Sequence, residues 1–271
     1  MNNRMAQLAF LLLVLLVLLS PLPLGSNREW SWSAVALLTG GLGVFWLVAA
    51  TLRPADINPR LHIAIPILFA AALAWMVYQV APGSPAVWHH PLWQMAGDTL
   101  GETLPGRISI ASEAGWTAIM RLLAYALVFL LALQLGRQER YARAVFGVLT
   151  LGGLVYAIFG LFSYWGGYHP AWLFGEQALP HDVRSTFINR NHFATWQGLA
   201  VICAVAYFYQ RMARPDVKPY AVPRDMQDRV EDFVLKAWKP MIALLLMVTA
   251  LILTHSRGGF VAAAAGLVVF L

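Results

Sequence analysis

Two short polar clusters stand out in a chain that is otherwise dominated by apolar residues. The first cluster, residues 184–194, reads Arg-Ser-Thr-Phe-Ile-Asn-Arg-Asn-His-Phe-Ala and lies directly before an apolar run. Asn189 or Asn191 can cap a helix that begins near His192, which leaves backbone N–H groups and the positive end of the helix dipole facing outward. Such a helix start is suited to an anion, above all a phosphate.

The second cluster, residues 254–259, reads Thr-His-Ser-Arg-Gly-Gly and interrupts the last apolar stretch. Glycine lets the backbone approach a ligand closely, and the planar fork of Arg257 matches two phosphate oxygens. Arg190 and Arg257 at two helix starts could therefore clamp a diphosphate, with Arg121 as a candidate third member and Arg184 in the supporting polar shell. The alternative for each arginine is that it extends to lipid headgroups at the membrane edge.

The remaining reactive side chains indicate no other chemistry. Cys203 is the only cysteine and lies inside an apolar run, so it is expected to pack as a small hydrophobic residue. The histidines lack the spacing of a metal site, and no pair of carboxylates fits glycosidic acid and base catalysis. We therefore expect neither a metal nor a cofactor.

The elements that position these clusters are predicted to be membrane-spanning helices. Hydrophobic residues make up 59% of the 271 residues and charged residues 12%, against roughly 25% charged in soluble domains. Apolar runs of about 20 residues match the length that a helix needs to cross about 30 Å of hydrocarbon. The runs are residues 5–24, 32–52, 62–81, 116–135, 144–165, 193–209 and 241–271, the last divided into two short helices at Gly258 and Gly259.

We thus predict an all-α, polytopic transmembrane bundle of about eight spans in a single domain, residues 1–271. A cleaved signal peptide is the alternative for the first run. Most of the 19 basic residues fall in segments on one side of the predicted membrane, which places the amino terminus in the cytoplasm. Membrane orientation therefore explains the net charge of +6, and a nucleic-acid partner is not needed to account for it. Three connections are long: an outer loop 82–115, an outer loop 166–191 with the first cluster, and a cytoplasmic loop 211–239 with an interfacial helix.

Both polar clusters resemble elements of the O-antigen ligase and polysaccharide polymerase superfamily of bacterial inner-membrane proteins. Residues 185–194, Ser-Thr-Phe-Ile-Asn-Arg-Asn-His-Phe-Ala, resemble the T-F-x-N-x-N-x-x-A element of that family. Residues 254–259 resemble its S-R-G element. The resemblance covers the middle and the end of the chain, and the first five runs match in character only.

The resemblance implies a metal-independent inverting glycosyltransferase of the inner membrane. Family members transfer a glycan from an undecaprenyl-diphosphate carrier at the periplasmic face to a hydroxyl of a lipid, glycan or protein acceptor. By resemblance, Arg190 and Arg257 would bind the diphosphate, and Asn189, Asn191 and Ser256 would form their polar shell. Positive charge placed where negative charge develops on a leaving diphosphate lowers the barrier.

The chain departs from the family pattern at its carboxyl end. The family continues into a large periplasmic loop that carries a catalytic histidine, whereas this sequence stops at Leu271 inside an apolar run. We therefore expect an amino-terminal portion of a longer protein, inactive in transfer by itself; neither His192 nor His255 matches the catalytic position. A transporter or flippase of an anionic lipid-linked substrate and a non-catalytic membrane scaffold are the alternatives.

Overall fold

The computed structural model describes residues 3–51, 63–167, 181–212 and 226–270. Within these ranges the chain forms nine α-helices, two 3-10 turns and no strand, so the predicted all-α class is confirmed. The helices are α1 (Asn3–Leu19), α2 (Glu29–Thr51), α3 (Ala64–Val80), α4 (Pro91–Leu100), α5 (Ser112–Gly136), α6 (Glu139–Gly166), α7 (Arg190–Met212), α8 (Met226–Ile252) and α9 (Arg257–Phe270).

Three of these helices, α2, α5 and α6, are long and apolar enough to cross a membrane. Helices α1, α3 and α9 and the second half of α8 are apolar but shorter. Large apolar side chains are exposed along them, with Leu37 at 77% and Val269 at 88%. Exposure of this kind suits lipid as the solvent, because hydrocarbon carries no penalty for contact with apolar surface. The number of crossings and their direction stay predictions.

The first apolar run forms a shorter helix than the predicted 5–24. Helix α1 ends at Leu19, and a turn with a short 3-10 segment (Leu24–Ser26) follows it. Pro21 and Pro23 account for the difference, because proline has no N–H to donate and disfavours helical geometry in the residue before it.

The last apolar stretch is divided as predicted, but the predicted break at Gly258 and Gly259 is wrong. Helix α8 ends at Ile252 and α9 begins at Arg257, so both glycines lie in the first turn of α9. His255, with a φ of 51°, makes the left-handed step between the two helices. The predicted boundary at residue 239 is not a helix end either, because α8 runs unbroken from Met226 through Pro240.

The chain forms two compact units, and the first comprises Met1–Ala9 and Ala34–Gln134. Its connection between α3 and α5 is folded around α4. Ser109 N donates to Gln79 O at 3.0 Å, and Trp93 Nε1 donates to Ser109 O at 3.2 Å. His90 N donates to Arg107 O at 2.9 Å. These bonds satisfy backbone groups that a loop would otherwise expose, so the predicted loop 82–115 is an ordered element.

The second unit, Phe10–Ser33 and Leu135–Leu271, contains a bundle in which α7 packs against α6, α8 and α9. Helices α6 and α7 approach closely: a Cβ placed on Gly153 would lie 2.3 Å from the Cβ of Ala200. Phe193 and Met247 are fully buried in the core of the bundle. Gln197 is also fully buried, and its Nε2 donates to Met247 O at 3.3 Å, which links α7 to α8.

Candidate anion-binding site

The two predicted helix starts lie side by side because α7 and α9 pack in parallel. A Cβ placed on Gly259 would lie 2.5 Å from the Cβ of Ala194, and one placed on Gly198 would lie 3.0 Å from the Cβ of Ala263. The two contacts advance by four residues along both helices in the same direction, which defines a parallel pair. Helices α7 and α9 therefore begin at the same end of the bundle.

The segment that leads into α7 is anchored from three directions. Val183 N donates to Leu253 O at 3.0 Å, which joins the segment to the turn before α9. Ser185 Oγ donates to the carbonyl of Tyr156 on α6 at 2.8 Å, and Thr186 Oγ1 donates to Pro21 O at 2.7 Å. The two hydroxyls of the first cluster thus hold the backbone in place and are buried.

Asp182 connects the two clusters. Both of its carboxylate oxygens accept from Arg190 Nη1 at 2.9 Å. Its Oδ1 also lies 2.9 Å from His255 Nδ1, and its Oδ2 lies 3.8 Å from Arg184 Nη2. The Asp182 side chain is only 12% exposed, against 42% for Arg190 and 53% for His255. A largely buried carboxylate thus contacts two guanidinium groups and one imidazole, all of which are more exposed than the carboxylate itself.

Two of the predicted shell residues cap the helices. Asn189 Oδ1 accepts from Asn191 N at 2.8 Å, so the prediction that Asn189 or Asn191 caps α7 is confirmed for Asn189. Helix α7 begins at Arg190, slightly earlier than the predicted start near His192. Ser256 is buried, and its Oγ accepts from Gly259 N at 3.2 Å, the corresponding cap of α9. Both side chains therefore have a structural role at the helix starts.

Three further residues at this end of the bundle are exposed: Asn191, His192 and Arg257. Within the described ranges, the guanidinium of Arg257 has neither a hydrogen bond nor an ion pair. Arg184 lies at the edge of the cluster, where its Nη1 donates to Ile188 O at 3.4 Å. Arg121 lies on α5 in the first unit, so its predicted membership of the site stays a prediction.

An apolar groove of about 640 Å³ reaches the same segment at Thr186. Val155 and Phe159 of α6 form one wall of the groove. Arg28 and Trp30, which follow the 3-10 turn in the chain, also line the groove. The groove thus combines a hydrocarbon-like lining with one exposed cation.

Sequence reasoning missed Asp182 and the part played by His255. Asp182 lies two residues before Arg184, the first residue of the first cluster, and an acidic residue so close to two arginines is a usable signal. Spacing gives His255 no role beyond its place in the second cluster. Its contact with Asp182 depends on the turn between α8 and α9, which spacing does not reveal.

This arrangement is suited to binding an anion. Arg184, Arg190 and Arg257 bring three permanent positive charges to one end of the bundle, where Asp182 supplies a single negative charge in the described cluster. Two capped helix starts add their dipoles in the same direction. Comparison with protein-family models, curated proteins and solved structures found no match for this chain.

Proposed function

We propose that this protein binds the diphosphate of an undecaprenyl-linked glycan at the periplasmic end of α7 and α9. We propose further that it transfers that glycan to an acceptor hydroxyl, as an O-antigen ligase or a polysaccharide polymerase does. The observation that carries the proposal is the parallel packing of α7 and α9, which places Arg190 and Arg257 as the first residues of adjacent helices.

Asp182 is the positioning residue of this proposal. Both of its bonds to Arg190 involve Nη1, so Nη2 and Nε of the guanidinium stay available for phosphate oxygens. A guanidinium that is already oriented loses less rotational freedom when it binds. Arg257, which is exposed, would approach the second phosphate.

The apolar groove beside Thr186 supports a lipid-linked substrate over a soluble one. A polyprenyl chain needs a hydrocarbon-like surface, and the walls of the groove provide it next to the cationic end of the bundle. Arg28 at the groove adds a further cation close to the membrane boundary.

The chemistry of transfer is a substitution at the anomeric carbon of the first sugar. The acceptor hydroxyl attacks that carbon, the bond from carbon to the diphosphate oxygen breaks, and the hydroxyl proton passes to a base. Charge develops on the leaving diphosphate, where Arg190 and Arg257 would neutralise it without a metal. In the resembling family the base is a histidine of a large periplasmic loop. We assign no residue of this chain to that role.

The proposal places the chain in a bacterial inner membrane, with about eight spans and the amino terminus in the cytoplasm. This orientation brings residues 181–191 and 254–259 to the periplasmic surface, where lipid-linked glycans are used. It also places most of the basic residues on the cytoplasmic side.

Binding of undecaprenyl diphosphate to the purified protein in detergent tests the proposal directly. We expect the variant with both Arg190→Ala and Arg257→Ala to lose at least tenfold in affinity, because charge-assisted bonds to phosphate contribute about 1.5–3 kcal/mol each. Undecaprenol, which lacks the diphosphate, should bind the variant and the parent protein equally. Arg4→Ala, which removes an exposed arginine from α1, is the matched control.

Equal binding of undecaprenyl diphosphate by the parent protein and the double variant would remove the proposed site. Glycan transfer that persists in both single variants would reject the enzymatic assignment. Accumulation of the intact lipid-linked substrate across proteoliposomes, without a glycan product, would identify a transporter instead.

A further inference from the structure

A second groove lies at the other end of the α6 and α7 pair and has a volume of about 780 Å³. Its mouth carries three arginines, Arg140 and Arg143 from the start of α6 and Arg211 from the last turn of α7. Its wall continues along α6 through Val148, Leu151 and Leu154. The groove is therefore cationic at one end and apolar along its length.

The close approach of the two helices forms this groove. A Cβ placed on Gly147 would lie 3.1 Å from Cε2 of Tyr207, so a glycine is what allows the tyrosine ring to lie against α6. The same pair of helices meets again where Gly153 faces Ala200, so α6 and α7 are antiparallel. The last turn of α7 thus lies beside the first turns of α6.

This mouth is remote from the proposed diphosphate site. Arg190 and Arg211 lie near opposite ends of a helix of 23 residues, which spans about 35 Å. The distance is comparable to the thickness of the hydrocarbon core, about 30 Å. The antiparallel neighbour α6 is long and apolar enough to cross a membrane, so the two cationic ends would face opposite membrane surfaces. A ligand at the arginine mouth is therefore not the one proposed for the first site.

The dimensions of the groove match a lipid within one leaflet. From Arg140 to Leu154, α6 rises about 21 Å, which covers the hydrocarbon depth of one leaflet, about 15 Å, together with the headgroup boundary above it. Lining residues 140, 144, 147, 151 and 154 repeat at intervals of three and four, so they form one continuous stripe along the helix. Thr150 Oγ1 donates to Phe146 O, so this hydroxyl is already satisfied.

The contacts and exposure of the three arginines also suit binding of a phosphate headgroup. Arg140 lies 4.4 Å from the ring centre of Tyr141 and donates to its hydroxyl, which fixes the orientation of the guanidinium. Arg143 pairs with Glu139 on its own helix, where both side chains are well exposed and the pair is weak. Arg211 is exposed. A phosphate can therefore recruit Arg143 and Arg211 at little cost, next to the oriented guanidinium of Arg140.

We propose that this groove is a binding site for an anionic phospholipid, with phosphate at Arg140, Arg143 and Arg211 and an acyl chain along α6. Basic pockets between membrane helices bind such headgroups where they face an anionic leaflet. The site is independent of the glycan-transfer proposal, since it shares no residue with it.

Native mass spectrometry of the purified protein, titrated with tetraoleoyl cardiolipin or dioleoyl phosphatidylcholine, tests the inference. We expect preferential binding of cardiolipin and a loss of about fivefold in affinity for each arginine replaced in Arg140→Gln and Arg211→Gln. The lysine versions, Arg140→Lys and Arg211→Lys, should retain most of the affinity. Ala144→Trp, which fills the groove below the mouth, should weaken binding with all arginines present.

Arg4→Gln removes an exposed arginine that lines neither groove and should leave cardiolipin affinity unchanged. Equal affinity for the two lipids, or unchanged cardiolipin affinity in the glutamine variants, would overturn the proposal. Unchanged cardiolipin affinity in Ala144→Trp would also overturn it, because the groove would then have no role in binding the acyl chain. If Arg140→Gln fails to fold, Arg211→Gln, at an exposed position, tests the same expectation.

Discussion

Asp182 Oδ1 lies 2.9 Å from Nδ1 of His255, a residue 73 positions later in the chain. The contact joins the segment before α7 to the turn before α9. It is accompanied by the backbone bond from Val183 N to Leu253 O. One carboxylate therefore fixes the relative position of two helix starts whose first residues are Arg190 and Arg257.

Removal of this carboxylate should destabilise the end of the bundle. We expect Asp182→Asn to lower the free energy of unfolding by about 1–3 kcal/mol, because Asp182 accepts charge-assisted bonds in a largely buried position. Combined with His255→Ala in a double-mutant cycle, it should show a coupling energy of at least about 0.5 kcal/mol. Denaturant unfolding of the purified protein in detergent, followed by circular dichroism, measures both quantities. Additive effects of the two substitutions would contradict the contact.

The parallel packing of α7 and α9 predicts opposite effects on stability when two neighbouring glycines are replaced by alanine. Gly259→Ala would place a Cβ 2.5 Å from that of Ala194, and we expect a loss of about 1–3 kcal/mol in stability from overpacking. Gly258→Ala meets nothing within 4 Å and should stabilise the protein by about 0.5–1 kcal/mol, since alanine favours a helix. Thermal unfolding of the two variants side by side distinguishes these outcomes. Equal behaviour would mean that α9 does not contact α7 at Gly259.

The two asparagines that flank Arg190 should also behave differently. Asn189→Ala removes the cap of α7 and is expected to cost about 1 kcal/mol of stability, whereas Asn189→Asp should retain most of it. Asn191 is exposed and caps nothing, so Asn191→Ala should leave stability within about 0.5 kcal/mol of the parent. Unfolding measurements check the cap. Loss of undecaprenyl-diphosphate binding in Asn191→Ala would give that side chain the shell role that the family resemblance implies.

Cysteine labelling can determine which ends of the helices share a surface. After replacement of the buried Cys203 by serine, Asn191→Cys and Gly258→Cys should react with a membrane-impermeant maleimide from the same side of sealed vesicles. Arg211→Cys, at the far end of α7, should react only from the opposite side. Labelling of positions 191 and 258 from opposite sides would reject both the parallel packing and the proposed diphosphate site.

The sequence was sufficient for the features that depend on local patterns. Apolar runs predicted the all-α class because backbone groups inside a bilayer must be satisfied within the helix itself. Asn189 was identified as a cap candidate from its position before an apolar run. The predicted helix ends were less accurate. Prolines end α1 at Leu19, earlier than predicted, and the break between α8 and α9 occurs at His255 and not at the glycines.

Tertiary structure alone decided how the two clusters meet. Asp182 and His255 are 73 residues apart, and the parallel alignment that unites α7 with α9 depends on small residues at positions 194, 198, 259 and 263. Spacing along a chain fixes which residues share a helix face, because helical geometry repeats every 3.6 residues. It does not fix which faces of distant helices pack together, since that choice depends on shape complementarity between surfaces that form only after the helices do.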